Sequence, residues 1–450
     1  MSSKLSLIFS IFLGKIVLRI LNMTNKKGTA LPGKIALKVC PDFLKHMSDR
    51  CDNIILITGT NGKTTTNNLL NHIIESEYAD IASNHFGSNM IQGIVSPFIN
   101  NTKKHYDWAI LEVDEGTIKE VTKFINPDYI LITNFFRDQL DRYGEVENTV
   151  RLVYDGIKHT NGTLILNGDD PSSVYFEKLK NKKIYYGVKE NEHSKDTANI
   201  NEAVFCGVCG NKLEYDYINY GNIGKFKCTR CGSANPNIQY TIEEITAKAD
   251  SYEFTVKNKN TESFKFNYMG IYNVYNCLGA ISLADTIGIK TIHIKDRVEN
   301  FEYNLGRNET IEFSNKKVII SLAKNPVGLT EVLTSFSQED NKKSIMFILN
   351  DYGADGKDVS WIWDASMEEV NKIPNIKYFY CAGTRAEEVA LRLKYADFSE
   401  TKIKIYNSND VFDIEKPIKS IMKKPYDTYI IGTFTSIPKV RRIILNMKKR

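Results

Sequence analysis

A glycine-rich loop between a predicted strand and a predicted helix constrains this chain more than any other feature. The segment TGTNGKTTT, from Thr58 to Thr66, follows an apolar strand over Asn53–Thr58 and precedes a helical stretch over Lys63–Glu75. At such a junction glycines let backbone N–H groups approach phosphate oxygens, and the helix N-terminus favours anions. Lys63 can reach the β- and γ-phosphates of ATP, and the Thr64 hydroxyl can ligate Mg²⁺. The predicted ATP-binding residues of this loop are Gly59, Thr60, Asn61, Gly62, Lys63, Thr64 and Thr65.

Short apolar strands alternate with helical stretches along most of the 450 residues. This alternation predicts an α/β fold with mostly parallel sheets covered on both faces. The length favours two or three domains. We predict an N-terminal amphipathic helix and lead-in over 1–50, an ATP-binding domain over 51–305 and a second, Rossmann-like α/β domain over 306–450.

Composition excludes several classes of protein. The chain has 42% hydrophobic and 25% charged residues, which is typical of a folded globular protein and excludes disordered and collagen-like chains. Its net charge of +5 gives no general argument for nucleic-acid binding. Eight cysteines are too few for a disulfide framework, which favours a reducing cytoplasm.

The N-terminus carries an apolar run from Leu5 to Leu21 that Lys15 and Arg19 interrupt. Its uncharged part, Leu5 to Gly14, is shorter than the roughly 20 residues that span a bilayer. No small-residue cleavage site of a signal peptide follows. We predict a helix that packs either against the protein's own core or against the inner surface of a membrane.

Four cysteines form two CxxC pairs separated by eighteen residues, within a Gly- and Cys-rich insert at about 200–236. Two such turns present four thiolates and close a tetrahedral Zn²⁺ site, which leaves no open position for catalysis. We therefore predict a structural zinc ribbon, whose basic residues Lys225, Lys227 and Arg230 form an ordinary solvated face. The predicted zinc ligands are Cys206, Cys209, Cys228 and Cys231.

The phosphate loop departs from the ordinary Walker pattern, since position 57 is Ile, and its short form G-T-x-G-K-T-T resembles that of the Mur ligase superfamily. The resemblance implies a Mur ligase-like central domain in which Glu112, at the end of a strand, binds Mg²⁺. It also implies that Asn273 and Asn276, in the segment GIYNVYN, contact the adenine, and that Arg307, in GRNE, reaches toward the phosphates.

Two positions depart from that superfamily. In NFFRDQLDR, from Asn134 to Arg142, the metal-associated His is replaced by Gln139. In SLAKNP, from Ser321 to Pro326, the ribose-binding Asp is replaced by Ser321. These losses argue against an ordinary Mur or folylpolyglutamate-type ligase that adds an amino acid to a carboxylate.

The loop NDYGADGKDVSWIWD, from Asn350 to Asp364, follows an apolar strand, where α/β sheets place functional residues. With AKNPVG at Ala323 and the cysteine insert, it resembles the MurT family, the Mur-ligase-like subunits of glutamine-dependent lipid II isoglutaminyl synthase. That resemblance covers nearly all of the chain. It implies ATP-dependent amidation of the D-glutamate α-carboxylate of the peptidoglycan stem peptide, through an acyl phosphate, on lipid II at the membrane surface.

The resemblance further implies a partner glutaminase of the GatD type, in a heterodimer or larger complex, that supplies ammonia. In that family an Asp of this subunit completes the partner's Cys-His triad; by motif match it is Asp358, with Asp355 as the alternative. Two other functions stay open at this point. One is the amino-acid ligase described above, and the other is a P-loop zinc-ribbon protein that binds nucleic acid, which the near-neutral charge disfavours.

Overall fold

The computed structural model describes residues 3–23, 30–85, 87–138, 145–194, 205–248, 251–302, 309–313, 315–337, 339–408 and 411–449. The chain divides into two compact units. The first consists of Met1–Phe136, Glu145–Asn267 and Ile271–Phe301, and the second of Arg137–Gly144, Tyr268–Gly270 and Glu302–Arg450.

In the first unit, a sheet of nine described strands runs in the order β11-β10-β9-β6-β5-β4-β1-β3-β2. Neighbours from β9 to β2 pair in parallel, whereas β9, β10 and β11 form an antiparallel extension. The parallel part confirms the predicted α/β architecture. These strands are β1 (Cys51–Thr58), β2 (Ile81–Ser83), β3 (Tyr106–Glu112), β4 (Tyr129–Ile132), β5 (Thr163–Asn167), β6 (Lys183–Val188), β9 (Tyr240–Ala247), β10 (Tyr252–Lys257) and β11 (Thr261–Phe266).

Helices cover this sheet and bury an apolar core against its strands. Helix α8 extends Ile271–Thr286, and Gly270 ahead of it has φ +94°, a backbone conformation that favours glycine. The described helices of the unit are α1 (Ser3–Met23), α2 (Leu31–Val39), α3 (Phe43–Ser48), α4 (Lys63–Ile74), α5 (Ile91–Asn100), α6 (Ile118–Val121), α7 (Val146–Ile157), α8 (Ile271–Thr286) and α9 (Thr291–Glu299), with a 3₁₀ helix at Pro171–Lys178.

Helix α1 confirms the prediction that the N-terminal apolar run is helical. It packs against α2 and α5, so the helix does dock on the protein's own core. Much of its other face remains exposed, including Ile8 and Phe12. Its segment Lys4–Met23 is long and apolar enough to cross a membrane, by length and composition alone. The uncharged part of this segment, from Leu5 to Gly14, is too short to do so.

The cysteine insert contains the antiparallel hairpin of β7 (Glu214–Tyr220) and β8 (Ile223–Lys227). Cys206, Cys228, Leu213 and Phe226 form a small separate core. The insert therefore has its own packing, although residues 195–204 at its predicted start lie outside the described part of the chain.

The second unit contains a sheet in the order β12-β13-β17-β14-β15-β16, parallel except for the β12–β13 pair. Alternate residues of β14 enter different cores: Ile345 and Phe347 one, Met346 and Ile348 the other. Both faces are thus covered, as predicted. The strands are β12 (Glu309–Phe313), β13 (Lys316–Leu322), β14 (Lys343–Ile348), β15 (Ile376–Gly383), β16 (Ile403–Asn407) and β17 (Asp427–Gly432). The helices are α10 (Pro326–Phe336), α11 (Trp361–Asp364), α12 (Ala386–Tyr395), α13 (Glu415–Met422) and α14 (Ile437–Lys448), with 3₁₀ turns at Met367–Lys372, Glu400–Lys402 and Val411–Ile414.

Candidate functional site

The glycine-rich loop lies between β1 and α4, as the sequence predicts. Gly59 and Gly62 have φ values of +118° and +85°. A Cβ atom on Gly62 would lie 2.0 Å from Oδ1 of Asn276, and one on Gly59 would lie 2.4 Å from Oγ1 of Thr133. Because both the conformation and the space require glycine, the loop backbone is fixed close to its neighbours.

Residues beyond the end of β4 brace this loop. The N–H of Asn61 donates to Oδ1 of Asn134 at 2.9 Å, and the N–H of Thr60 donates to the Asn134 carbonyl at 2.8 Å. The Thr133 hydroxyl donates to the Asn61 carbonyl at 2.7 Å. Asn134 is the first residue of the motif NFFRDQLDR, which does not by itself predict this role.

Lys63 is buried at the N-terminus of α4, with 5% of its surface exposed. Its Nζ lies 3.1 Å from Oε1 of Glu115 and donates to the carbonyls of Thr60, at 3.3 Å, and Gly59. Glu115 is also buried. The ammonium group is therefore held in place by acceptors that an anionic ligand can replace.

Glu112 and Thr64 both lie close to Gly87, beside the loop. Ile57 of β1 pairs with Glu112 of β3, so the last residue of β3 lies next to the strand that leads into the loop. A Cβ atom on Gly87 would lie 3.2 Å from Oγ1 of Thr64 and 3.9 Å from Oε2 of Glu112. Both oxygens are buried and have no hydrogen-bond partner within the described residues. Two such oxygens are hard ligands of the kind Mg²⁺ prefers.

Two asparagines that the sequence analysis did not identify hold Glu112 in place. Asn84 exchanges two hydrogen bonds of 2.7 Å with the Glu112 backbone. Asn89 donates to Oε1 of the Glu112 carboxylate at 3.0 Å. The side chain is thereby oriented with one oxygen satisfied and the other left for a ligand.

The residues predicted on the adenine side are partly placed. Asn273 and Asn276 are buried on α8, and Asn276 reaches the phosphate loop at Gly62. Arg307 and Gln139 lie outside the described residues. Ser321 is completely buried in β13, and Lys324 of the same motif pairs with Asp138 at 2.6 Å.

The four predicted zinc ligands converge. Their sulfur atoms all lie within 4.8 Å of one another, with Cys206 to Cys231 at 3.6 Å and Cys209 to Cys228 at 3.5 Å. These distances are far from a disulfide bond of about 2.05 Å and close to the edge of a tetrahedron with Zn–S bonds of about 2.3 Å.

The two CxxC turns repeat one geometry. The N–H of Gly210 donates to the Cys206 carbonyl at 2.8 Å, and that of Gly232 donates to the Cys228 carbonyl at 2.9 Å. Both glycines have positive φ, 71° and 76°. The backbone N–H of Cys231 lowers the pKa of the Cys228 thiol, which favours the thiolate that binds metal.

A buried carboxylate ties the insert to the sheet. Asp169 accepts hydrogen bonds from the N–H of Val188 at 2.7 Å, the hydroxyl of Tyr275 at 2.7 Å and the amide of Asn235 at 3.1 Å. Asn219 of β7 donates to the same Tyr275 hydroxyl at 2.7 Å. Burial raises the pKa of Asp169 to about 7. Sequence analysis did not single out this residue.

The loop after β14 carries four carboxylates, and three are engaged by other segments. Asp351 accepts from Thr384 at 2.8 Å and Arg385 at 2.9 Å. Asp355 accepts the N–H and the hydroxyl of Thr435 at 2.8 and 2.5 Å. Asp364 pairs with Arg137 at 3.2 Å.

Asp358 differs from these three. Its hydrogen-bond partner among the described residues is local, the N–H of Ser360 at 2.8 Å. Hydrogen bonds from Ser360 hold the pKa of Asp358 below its ordinary value, whereas burial raises the pKa of Asp355. Asp358 is half-buried, so its carboxylate is accessible, and its lowered pKa favours the ionised form.

Apolar side chains follow Asp358 in the same segment. Trp363 of α11 is 44% exposed and packs edge-to-face on Tyr395 of α12, with ring centroids 5.5 Å apart. Arg392 lies over the Trp363 ring at 5.6 Å. Exposed aromatic side chains of this kind are enriched at protein interfaces.

Comparisons with known families agree with this geometry. The family model of the Mur ligase middle domain matches residues 57–229, and that of the MurT ligase C-terminal matches residues 322–437. The curated MurT subunit of glutamine-hydrolysing lipid II isoglutaminyl synthase from Staphylococcus aureus (strain COL) is 36% identical over 428 residues, which cover 95% of each chain. The MurT subunit from Streptococcus pneumoniae (strain ATCC BAA-255 / R6) is 31% identical, over 93% of this chain and 92% of that one.

Solved structures share the fold. A pseudomurein peptide ligase type C from Methanothermus fervidus has a TM-score of 0.70 at 23% identity and covers 91% of this chain and 81% of its own. MurF from Acinetobacter baumannii has a TM-score of 0.65 at 15% identity and covers 93% of this chain and 81% of its own.

Proposed function

The chain belongs to the MurT family, and from that premise we propose that it is the synthetase subunit of a glutamine-hydrolysing lipid II isoglutaminyl synthase. It amidates the α-carboxylate of the D-glutamate in the peptidoglycan stem peptide of lipid II, using ATP and ammonia. The observation that carries the proposal is the convergence of Lys63, Thr64 and Glu112 at one phosphate loop.

The reaction needs activation because a carboxylate is a poor acyl donor. A carboxylate oxygen of D-glutamate attacks the γ-phosphorus of ATP and displaces ADP, which gives an acyl phosphate. Ammonia then attacks the acyl carbon, phosphate leaves with the former carboxylate oxygen, and the nitrogen loses a proton. The products are the primary amide, ADP and phosphate.

The loop residues bind and polarise the triphosphate. Backbone N–H groups at the start of α4 favour phosphate oxygens, and Lys63 exchanges its contacts with Glu115 and the loop carbonyls for the β- and γ-phosphates. Such preorganised donors stabilise charge that develops on the transferring phosphoryl group. Asn273, Asn276 and Arg307 are proposed to complete the nucleotide site.

Mg²⁺ fits the pair formed by Thr64 and Glu112, since both buried oxygens lack a partner within the described residues. When bound there, the ion neutralises phosphate charge. Asn89 and Asn84 keep Glu112 turned toward it.

Ammonia comes from a GatD-like partner glutaminase, and Asp358 is proposed to orient the imidazole of that partner's Cys-His pair. A carboxylate in this role must be ionised and reachable from outside the chain. Asp358 meets both requirements, whereas Asp355 is buried against Thr435. The exposed Trp363 and Tyr395 offer apolar contact area for the partner.

Zn²⁺ bound by Cys206, Cys209, Cys228 and Cys231 is proposed to be structural. All four ligands are protein thiolates, so no position is open to substrate. The site ties two turns of the insert together, and Asp169 ties the insert to the sheet and α8.

The two other functions considered above are disfavoured. For an amino-acid ligase of the ordinary type, the ribose-binding Asp is replaced by a completely buried Ser321. For a nucleic-acid-binding ribbon, the basic face is small, and Lys227 is offset by Asp216 at 3.8 Å. No nucleic-acid partner is proposed.

The protein is cytoplasmic and meets its lipid-linked substrate at the membrane surface.

Glu112 provides the direct test. With lipid II, ATP and ammonium chloride, the complex is expected to form D-isoglutamine, detected by mass spectrometry. Glu112→Gln keeps the shape but removes a charge next to Mg²⁺, so turnover is expected to fall about 100-fold or more and to need more Mg²⁺. Glu120→Gln, an exposed site on α6, is the matched control. Unchanged turnover in Glu112→Gln, or incorporation of an amino acid instead of ammonia, would contradict the proposal.

A further inference from the structure

Helix α1 has one face that is fixed to the first unit. Leu7 is 5% exposed and Ser10 is completely buried. A Cβ atom on Gly14 would lie 2.9 Å from the side chain of Ile99 on α5, so the two helices approach closely at this glycine. The docked face therefore orients the helix on the body of the protein.

The opposite face of α1 is apolar and exposed. Ile8, Phe12 and Ile20 are 65%, 59% and 55% exposed. The exposed apolar side chains recur every three or four residues and so form one continuous stripe along the helix. Its members are Leu5, Ile8, Phe9, Phe12, Ile16, Ile20 and Met23. A stripe of this kind on a folded protein marks an interaction surface.

The charge around this stripe has a single sign. Residues 1–41 contain seven basic and no acidic side chains, although the whole chain has a net charge of only +5. Among the described ones, Lys4, Lys15, Arg19, Lys34 and Lys38 are all exposed. Apolar side chains flanked by cations match the acyl boundary and the headgroups of an anionic lipid surface.

We propose that the exposed stripe of α1 inserts into the interface of an anionic phospholipid membrane, with the helix parallel to the surface. The docked face on α2 and α5 keeps half of the helix on the protein, and Lys15 and Arg19 interrupt the apolar run, so the helix lies on the bilayer instead of crossing it. The inference rests on the proposed function in one respect: membrane binding would bring the protein to its proposed substrate, which is linked to a lipid.

Vesicle flotation of the full-length protein tests the proposal. We expect it to float with vesicles of mixed phosphatidylglycerol and phosphatidylcholine, and much less with phosphatidylcholine alone. Ile8→Glu/Phe12→Glu, at two exposed positions, is expected to lower the partition coefficient about 100-fold. Lys15→Gln/Arg19→Gln keeps the stripe and is expected to lower it about 10-fold on anionic vesicles only. Ile292→Glu, at a 67% exposed position on α9, is the matched control.

Four results would overturn the proposal. The first two are that the unmodified protein does not float with the vesicles, or that Ile8→Glu/Phe12→Glu floats as well as the unmodified protein. The third is that alkaline carbonate does not extract the bound protein from the vesicles. The fourth is that light scattering shows an oligomer of the unmodified protein that Ile8→Glu/Phe12→Glu does not form. The last two would assign the stripe to a membrane-spanning helix or to a second copy of the chain. Amidation of a detergent-soluble, short-chain lipid II analogue is expected to be unchanged in the variant. Loss of that activity in the unmodified complex would instead refute the proposed function.

Discussion

Lys63 is expected to have two roles, one in nucleotide binding and one in the stability of the fold. Variants of Lys63 and its partner can test the two roles separately. Its ammonium group is expected to bind the β- and γ-phosphates, and without nucleotide it pairs with the buried Glu115. Removal of the lysine alone takes a cation away from the buried Glu115 carboxylate, which lowers the stability of the fold. A loss of activity in a single variant could therefore come from chemistry or from folding.

The double variant Lys63→Ala/Glu115→Gln resolves this ambiguity. Lys63→Ala is expected to lower both thermal stability and amidation, the latter by about 100-fold or more, with either glutamine or ammonium as nitrogen source. Adding Glu115→Gln is expected to restore much of the stability and none of the activity. Thermal unfolding and product formation measure the two effects. Near wild-type turnover in either variant at saturating ATP would mean that this loop does not serve catalysis.

At the level of single residues, sequence patterns predict the groups proposed to bind the nucleotide and Mg²⁺ better than they predict the groups that hold those side chains in place. Lys63 and Thr64 belong to a motif whose spacing is local. The supporting contacts of Asn84, Asn89 and Glu115 depend on which strand ends become neighbours. That pairing is a property of the folded sheet, and one sequence does not reveal it.

Among the elements, the cysteine insert is the one whose stability is expected to depend most strongly on bound metal. Cys209→Ser is expected to reduce zinc from one ion per chain to none and to lower the melting temperature by roughly 5 °C or more, because metal binding contributes directly to folding. Cys51→Ser, at a half-buried thiol outside the site, is the matched control. Metal analysis and thermal unfolding measure both quantities. Absence of zinc in the unmodified protein would refute the assignment.

Asp169 makes the stability of the fold depend on pH, at the junction of the insert, the sheet and α8. With a pKa of about 7 in the folded protein and an ordinary value of about 3.9 when unfolded, its proton is held more tightly by the fold. Its contribution to stability is therefore full below pH 4 and is lost as the pH rises to about 7.

Asp169→Asn isolates this contribution. Near pH 5 the unmodified side chain is protonated and the neutral amide of the variant has the same shape, so the two proteins are expected to differ in stability by no more than about 1 kcal/mol. The difference is expected to shift in favour of the variant as the pH rises toward 8. Urea unfolding across this range measures it, with Asp216→Asn on the exposed side of β7 as control. A difference that does not vary with pH would mean that Asp169 is ionised throughout.

Most elements of both sheets were predictable because buried parallel strands are short apolar runs. The sequence pattern does not predict strands β2, β6, β11 and β12. β11 and β12 each begin with consecutive polar residues, and β2 has only three residues, so these segments do not stand out from loops. β6 contains Gly187, a residue type that strands disfavour, and its assignment depends on its place between β5 and β9.

For the whole molecule, the two halves of the proposed chemistry lie in different compact units. Lys63, Thr64 and Glu112 belong to the first unit, and Asp358 belongs to the second. The sequence predicted both sets of residues, through the phosphate loop and the loop after β14. The motif match favours Asp358, with Asp355 as the alternative, and it does not reveal the contacts of Asp355 with the distant Thr435, which depend on the fold.

The rates of the reconstituted complex with Asp358→Asn test the central claim most directly. If Asp358 orients the partner's imidazole, the variant loses glutamine hydrolysis by orders of magnitude, up to about the 10⁴-fold known for a serine protease triad, yet amidates lipid II with ammonium chloride. Asp355→Asn, the control, is expected to keep its glutaminase activity wherever it folds. Normal glutamine hydrolysis by Asp358→Asn, with or without a loss in Asp355→Asn, would contradict the account.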